Sequence, residues 1–452
     1  MNRPTCIALA LSALALGACR REAPQPESTA LLTPGVYRAV LELPAGELPF
    51  GLEIGPEGAA TVGYLINGKE RVRLSEVTVL GRHLEIRMPG YENRLVADAN
   101  DGRLLGEVVL SKAGGNQQHI GLHAQLGQTY RFFDKAASDP KDVSGRWAVT
   151  FTGDDGKPEA AVGEFTQSGD AVSGTFLAET GDHRFLAGQM RGDELYLSTF
   201  DGAHAFLYKA KVDSEGALAG DFWVGTAHHE HWVGKRDPNA ALPDAYSLTS
   251  MRAGARHFDF AFPDLDGKTV SSKDPQFRGK VLIVALAGSW CPNCHDEAAF
   301  LEPLYKDYRG KGLEIVSLQF EHFGDFPRAA EATRRFRQHY GIEYTTLIAG
   351  ISDKDEAGKK LPMLQSFVAF PTTVFVDRKG NVRKIHTGYT GPATGDHYVQ
   401  FGRAQTGRNI TRGQGHWFAP ASQTGSQCGL LRRARQAHSS SHIRLRRRTL
   451  RN

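Results

Sequence analysis

Two cysteines stand three positions apart in Trp290-Cys291-Pro292-Asn293-Cys294, a spacing that lets one pair of thiols exchange with a single disulfide. Upstream, Val281-Leu282-Ile283-Val284-Ala285-Leu286-Ala287 is a continuous apolar run ending in Gly288-Ser289, and it reads as a buried central strand. Downstream, Ala298, Leu301, Leu304, Tyr305 and Tyr308 recur at helical spacing. Cys291 is therefore expected just ahead of a helix, where free backbone N–H groups and the positive end of the dipole favour its thiolate. Pro292 suits the first helical turn, where its missing N–H is not needed. Cys294 falls one turn on, beneath Cys291 and less exposed. The chemistry is thiol–disulfide exchange: Cys291 attacks a substrate disulfide and Cys294 resolves the mixed disulfide, so the two form the redox-active pair.

The surrounding elements must hold this junction. Residues 313–318 read as a second parallel strand after the helix, residues 326–340 as another helix and residues 344–348 as a short strand. Phe370-Pro371-Thr372-Thr373-Val374-Phe375-Val376-Asp377 opens a strand with a proline, which is unusual and points to a special peptide bond. Asp377 to Asn381 is a turn, and residues 382–386 are the returning hairpin strand. Strand, turn, C-x-x-C and helix together are the context of a thioredoxin-like redox motif.

On these residues, on Phe262-Pro263-Asp264-Leu265-Asp266-Gly267-Lys268 and on Phe370-Pro371-Thr372-Thr373, the stretch 258–398 resembles the TlpA/ResA-like (redoxin) branch of bacterial thioredoxin-fold proteins. The resemblance covers about a third of the chain. It implies an α/β thioredoxin-like domain over residues 257–401. It also implies a cis Pro371 facing the cysteine pair, with Trp290, Phe370, Pro371 and Thr372 along the substrate. Glu297 matches a glutamate that ResA-type proteins use near their active site; the alternative is a first-turn acid that complements the helix dipole. The buried Asp of ordinary thioredoxins, six residues before the first cysteine, is Ala285 here. Glu297 or water would then assist proton transfer to Cys294. The resemblance further implies a reductant of protein disulfides, fed by a membrane electron donor, with no cofactor and no metal.

The first half reads differently. Glycine is abundant, 50 of 452 residues. Alternating runs such as Val36 to Leu43, Leu195 to Phe200 and Ala205 to Ala210 are separated by Asn67-Gly68, Asp101-Gly102, Gly192-Asp193 and Asp201-Gly202. Repeated hairpins imply antiparallel β sandwich or barrel modules. Two are expected, over residues 31–136 and 143–236, opening alike at Gly35-Val36-Tyr37 and Gly145-Arg146-Trp147. Residues 237–256 read as the linker. In His228-His229-Glu230-His231, His229 and His231 would share a strand face and could bind a metal, but the sequence indicates no distant partner ligand. An exposed polar strand end is the favoured reading. No nucleophile or acid–base constellation stands in this half, so binding or scaffolding is its expected role.

The net charge of +4 conceals an uneven distribution: residues 403–452 hold eleven Arg and no Lys, Asp or Glu, leaving −7 on the rest. A mildly acidic body with a basic tail gives no support for nucleic-acid binding. Residues 1–18 carry Arg3 and an apolar run too short to span a bilayer, ending in Leu16-Gly17-Ala18-Cys19. This resembles a lipoprotein signal with Cys19 as the lipidated residue and residues 19–30 as a polar tether. Arg20 favours the outer membrane over the inner, with a periplasmic body. Residues 402–452 show no helical apolar period where a closing helix is expected to continue, and read as a basic disordered tail or the product of a frameshift. Cys428 in that tail would be a spare thiol. A thiol peroxidase is the nearest enzymatic rival, but its P-x-x-x-[T/S]-x-x-C pattern would need other residues at Val284 and Gly288. A structural zinc site on Cys291, Cys294 and His295 falls short of four ligands. A non-enzymatic envelope scaffold acting through the β-rich half is the other alternative.

Overall fold

Short alternating strands and left-handed glycines fold the first half into two antiparallel sheets. The molecule is seen here as a computed structural model that describes residues 32–74, 76–136 and 139–404. The leader, Cys19, the tether and the tail beyond residue 404, with Cys428, lie outside the described residues.

In the first sheet, Gly35–Leu43 pairs with both Gly46–Glu57 and Gln117–Leu126, and the chain meanders outward on either side. In the second, Gly145–Thr152 pairs with both Pro158–Ser168 and His228–Arg236. Pro158–Ser168 also pairs with Ala171–Ala178, which closes the second sheet into a barrel and removes its free edges. The similar openings occupy equivalent places. The Tyr37 hydroxyl donates to Thr33 O and the Trp147 indole to Val143 O, each four residues back. Both rings are buried in their own cores, so one local device anchors the first strand of each module. Phe200, Ala205 and Leu207 of the second module pack into the core of the first, where the ring centroids of Phe200 and Phe50 are 4.9 Å apart.

The second half is an α/β domain. In chain order it contains β1 (Val281–Ala287), α1 (Pro292–Tyr308), β2 (Leu313–Glu321), α2 (Phe326–Tyr340), β3 (Thr345–Ile351), α3 (Lys354–Lys360), β4 (Thr372–Val376), β5 (Val382–Thr387) and α4 (Asp396–Ala404). The sheet order is β3-β2-β1-β4-β5. β1, β2 and β3 run parallel, and β4 and β5 are antiparallel to their neighbours. Every residue of β1 is buried. Leu282, Val284 and Leu286 face one core with Phe260 and Phe277, while Val281, Ile283 and Ala285 face the other with Ala298, Leu301 and Leu304 of α1. Covering on both faces is why the strand is continuously apolar rather than alternating. Asp325 caps α2 by accepting from Arg328 N, and Gly341 ends it at φ 61°. Among the described residues no helix is long and apolar enough to cross a membrane.

Candidate active site

The turn between β1 and α1 is fixed before the first cysteine is reached. Ser289 donates to the Glu321 carboxylate through its backbone N–H at 3.0 Å and its hydroxyl at 2.6 Å. Thr333 of α2 donates to the same carboxylate at 3.0 Å. Burial raises the Glu321 pKa against the effect of these hydrogen bonds. The Trp290 indole donates to Phe320 O at 2.8 Å. Its ring lies over His322 at 4.7 Å and edge-on to Phe370 at 5.8 Å. Gly288 makes this approach possible, since a Cβ there would stand 2.7 Å from Phe320 O and 2.3 Å from the Trp290 indole nitrogen.

Cys291 is the N-cap of α1, and Cys294 N donates to its Sγ at 3.3 Å. This helix-start N–H, which also donates to Cys291 O at 2.9 Å, thus meets the sulfur as well. The same Sγ lies 3.8 Å from Phe370 O, at the cis Phe370–Pro371 bond. Both cysteines are free thiols. Cys291 is 5% exposed and Cys294 1%. Burial, then the hydrogen bond and charge of Cys291, push the Cys294 thiol well above its ordinary range, and Glu297 adds to the effect. The two thiols are thus unequal, and Cys294 must lose its proton to a nearby base before it can react.

Glu297 is near enough for its charge to act on the Cys294 thiol. It sits one turn after Cys294, and burial pushes its carboxyl up to about 7 although the Thr373 hydroxyl donates to it. Thr373 is the β4 partner of Ala285 on β1, so the acid comes from the helix where the strand offers only a methyl group. A carboxyl near pH 7 can both accept and return a proton. We expect Glu297→Gln to keep the fold, because the amide mimics the protonated acid that burial favours. It should slow resolution of the mixed disulfide by about 10- to 100-fold. In the wild type the rate rises with pH through about 7 as the carboxylate forms; the variant loses that inflection. Single-turnover kinetics from pH 5 to 9 read both effects, and an unchanged profile removes Glu297 from the reaction.

Of the other anticipated residues, Phe370 meets Cys291 Sγ through its carbonyl oxygen, Pro371 follows it across the cis bond, and Trp290 stands edge-on to the Phe370 ring. Thr372 is fully buried, its hydroxyl donating to Ala369 O at 2.7 Å, so it braces the loop from within. His295 Nε2 meets Ser289 O at 2.7 Å and Nδ1 meets the Tyr340 hydroxyl at 3.0 Å. Burial lowers its pKa to about 3, so the ring is neutral and both nitrogens are already engaged.

The β-rich half reaches into this site, which no motif announced. Asn293, between the cysteines, donates to Thr180 O at 3.4 Å. The His295 ring stacks on Tyr91 at 3.8 Å. Gly391, in the loop after β5, donates to Asp182 at 2.6 Å. Asp296 pairs with Arg184, which also meets Glu70 at 3.0 Å and Asp201 at 3.2 Å. Burial opposes the Arg184 charge, but Asp296, Glu70, Asp201 and Asp182 together hold it firmly ionised. Burial raises Glu70 to about 7 and, with Asp296, raises Asp182 to about 6. One guanidinium thus ties both β modules to α1 at Asp296.

The family model described as Redoxin matches residues 252–397, the stretch that holds this site. Residues 252–397 form a redoxin domain. Two curated relatives, each titled "Thiol-disulfide oxidoreductase ResA", resemble it. That of Halalkalibacterium halodurans is 28% identical over 139 residues, covering 30% of this chain and 69% of the relative. That of Geobacillus thermodenitrificans is 28% identical over 140 residues, covering 31% and 72%. A thioredoxin-family thiol:disulfide interchange protein of Chlorobium tepidum is 22% identical, covers 33% of this chain and 95% of that chain, and has a TM-score of 0.25. The family match and the titles of these relatives support a thiol–disulfide oxidoreductase. The family match begins after the barrel's last strand, His228–Arg236.

Proposed function

We propose that this protein reduces disulfides of partner proteins in the bacterial periplasm, held at the outer membrane by a lipid on Cys19. The unequal cysteine pair carries the reading. Cys291 Sγ accepts the helix-start N–H of Cys294, while the Cys294 thiol is buried and held protonated. Cys291 thiolate attacks one sulfur of the partner's disulfide and expels the other as a thiolate, giving a mixed disulfide. Cys294 then passes its proton to Glu297 and attacks Cys291 Sγ. The partner leaves as a dithiol and Cys291–Cys294 becomes the disulfide, so two electrons have moved to the partner. A membrane dithiol donor restores them. The substrate segment runs along Phe370 and Pro371 against Trp290. Supporting the fused architecture, Thr180 and Tyr91 of the β-rich half touch Asn293 and His295, on either side of Cys294.

Redox titration of residues 20–452 with Cys428→Ser, trapping free thiols at each potential, tests the direction of electron flow. A reductant gives a reversible two-electron transition near −270 mV, whereas a midpoint near −120 mV would mark an oxidant. Absence of any reversible transition would reject the cysteine pair. Labelling of the full chain with radioactive palmitate, present in the wild type and lost in Cys19→Ser, checks the anchor; equal labelling of both excludes it.

A further inference from the structure

We propose that Asp221, His229 and His231 form a binding site for a divalent transition-metal ion of the Zn2+ class on the outer wall of the barrel. The strands Leu218–Val224 and His228–Arg236 are antiparallel neighbours, with Asp221 opposite His231 and Trp223 opposite His229. Phe222 and Trp232 are buried in the barrel core, so the alternate residues Asp221, Trp223, His229 and His231 share the outer face. There His229 Nε2 lies 2.9 Å and His231 Nδ1 2.7 Å from the same oxygen, Asp221 Oδ1. One nitrogen from each ring and one carboxylate oxygen all lie within 4.8 Å of one another.

The geometry is partly set in advance. Trp223 stacks on the His229 ring at 5.2 Å, and the two imidazoles meet edge-on at 4.8 Å. His229 is thus held by an aromatic plane and His231 by its register opposite Asp221. An ion about 2.0–2.2 Å from each atom would replace the His229 hydrogen bond and the close His231 contact to Oδ1, after small shifts of exposed side chains. Two imidazole nitrogens and one carboxylate oxygen leave a position open for water. This donor set suits Zn2+, Cu2+ or Ni2+ and is poor for Mg2+ or Ca2+, which prefer all-oxygen shells. His228 and Glu230 fall on the other face of the strand and pair with each other at 2.8 Å, which makes His228 an internal control. The site lies in the barrel and shares no residue with the cysteine pair.

The test is calorimetric titration of Zn2+ into untagged full-length protein with the Cys291–Cys294 pair oxidised and other thiols alkylated, so that no thiolate competes. The chain binds one more equivalent of Zn2+ in the wild type and in His228→Ala than in His229→Ala/His231→Ala. For that equivalent, the double variant binds roughly 100-fold more weakly or not at all. Zn2+ raises the melting temperature of the first two proteins and not of the third. All replaced side chains lie outside the core, and circular dichroism verifies the fold. Equal uptake by wild type and double variant overturns the site. So does loss of binding in His228→Ala as large as in the double variant, or displacement of the ion by millimolar Mg2+.

Discussion

Cys291→Ser abolishes disulfide exchange, lowering the rate by at least about 10³-fold, whereas Cys294→Ser leaves the first attack intact and arrests it at a mixed disulfide. The two outcomes follow from position. A serine hydroxyl at residue 291 stays protonated at neutral pH, and the helix-start N–H contact cannot make it a comparable nucleophile. Cys294 cannot take over the role: it is 1% exposed, and burial together with Cys291 holds its thiol well above the ordinary range. With Cys294 absent, Cys291 still bonds to the partner's sulfur, but no thiol remains beneath to release it. Mass spectrometry of each variant mixed with an oxidised peptide separates the cases. An adduct on Cys294→Ser and none on Cys291→Ser fits the assigned order. An adduct formed by Cys291→Ser through Cys294 would reverse it.

Much of this centre was legible because its parts are close in sequence. The apolar run of β1, the C-x-x-C pair and the helical spacing of α1 lie within one short segment, and local rules suffice for local geometry. Glu297 was legible for the same reason, three residues after Cys294. Thr373, which donates to it, was not, because that contact depends on β4 pairing beside β1 at Ala285. The first half shows the same division. Alternation and turn residues indicated antiparallel modules, but a closed barrel needs, besides its local hairpins, the first and last strands to meet, here Gly145–Thr152 with His228–Arg236. His229 and His231 were visible as a pair on one face. Asp221 was hidden, because only the cross-strand register brings it opposite His231. Helix α3 was missed: it is a short helix of mostly polar residues, capped by Asp353 with only Ala357 buried, so it leaves little apolar periodicity to read.

The Arg184 cluster was the least legible feature, and it carries the second large effect: Arg184→Met should destabilise the protein by about 3–5 kcal/mol. Removing one buried partner differs from removing a whole ion pair. Glu70, Asp182, Asp201 and Asp296 would remain packed together without their shared cation. The loss should depend on pH. Glu70 and Asp182 already have folded-state pKa values raised to about 7 and about 6. A raised carboxyl contributes stability that is complete below its unfolded pKa and is lost as pH rises through its folded pKa. Without Arg184 the attraction that held these values down is gone, so protonation compensates further into the neutral range. The variant should therefore lie closer to wild type at pH 5 than at pH 8 in urea unfolding. An equal deficit at both values, or one under about 1 kcal/mol, would show that the cluster is not what binds the halves. Arg184→Lys keeps the charge but not the fork that reaches three carboxylates, and should fall between the two. Because Asp296 lies two residues beyond Cys294, the β-rich half docks on the same helical turn that holds the cysteine pair. Loosening that docking in Arg184→Met should also shift the pair's midpoint potential, although Arg184 touches neither sulfur. A destabilised variant with an unchanged midpoint would assign the cluster to folding alone.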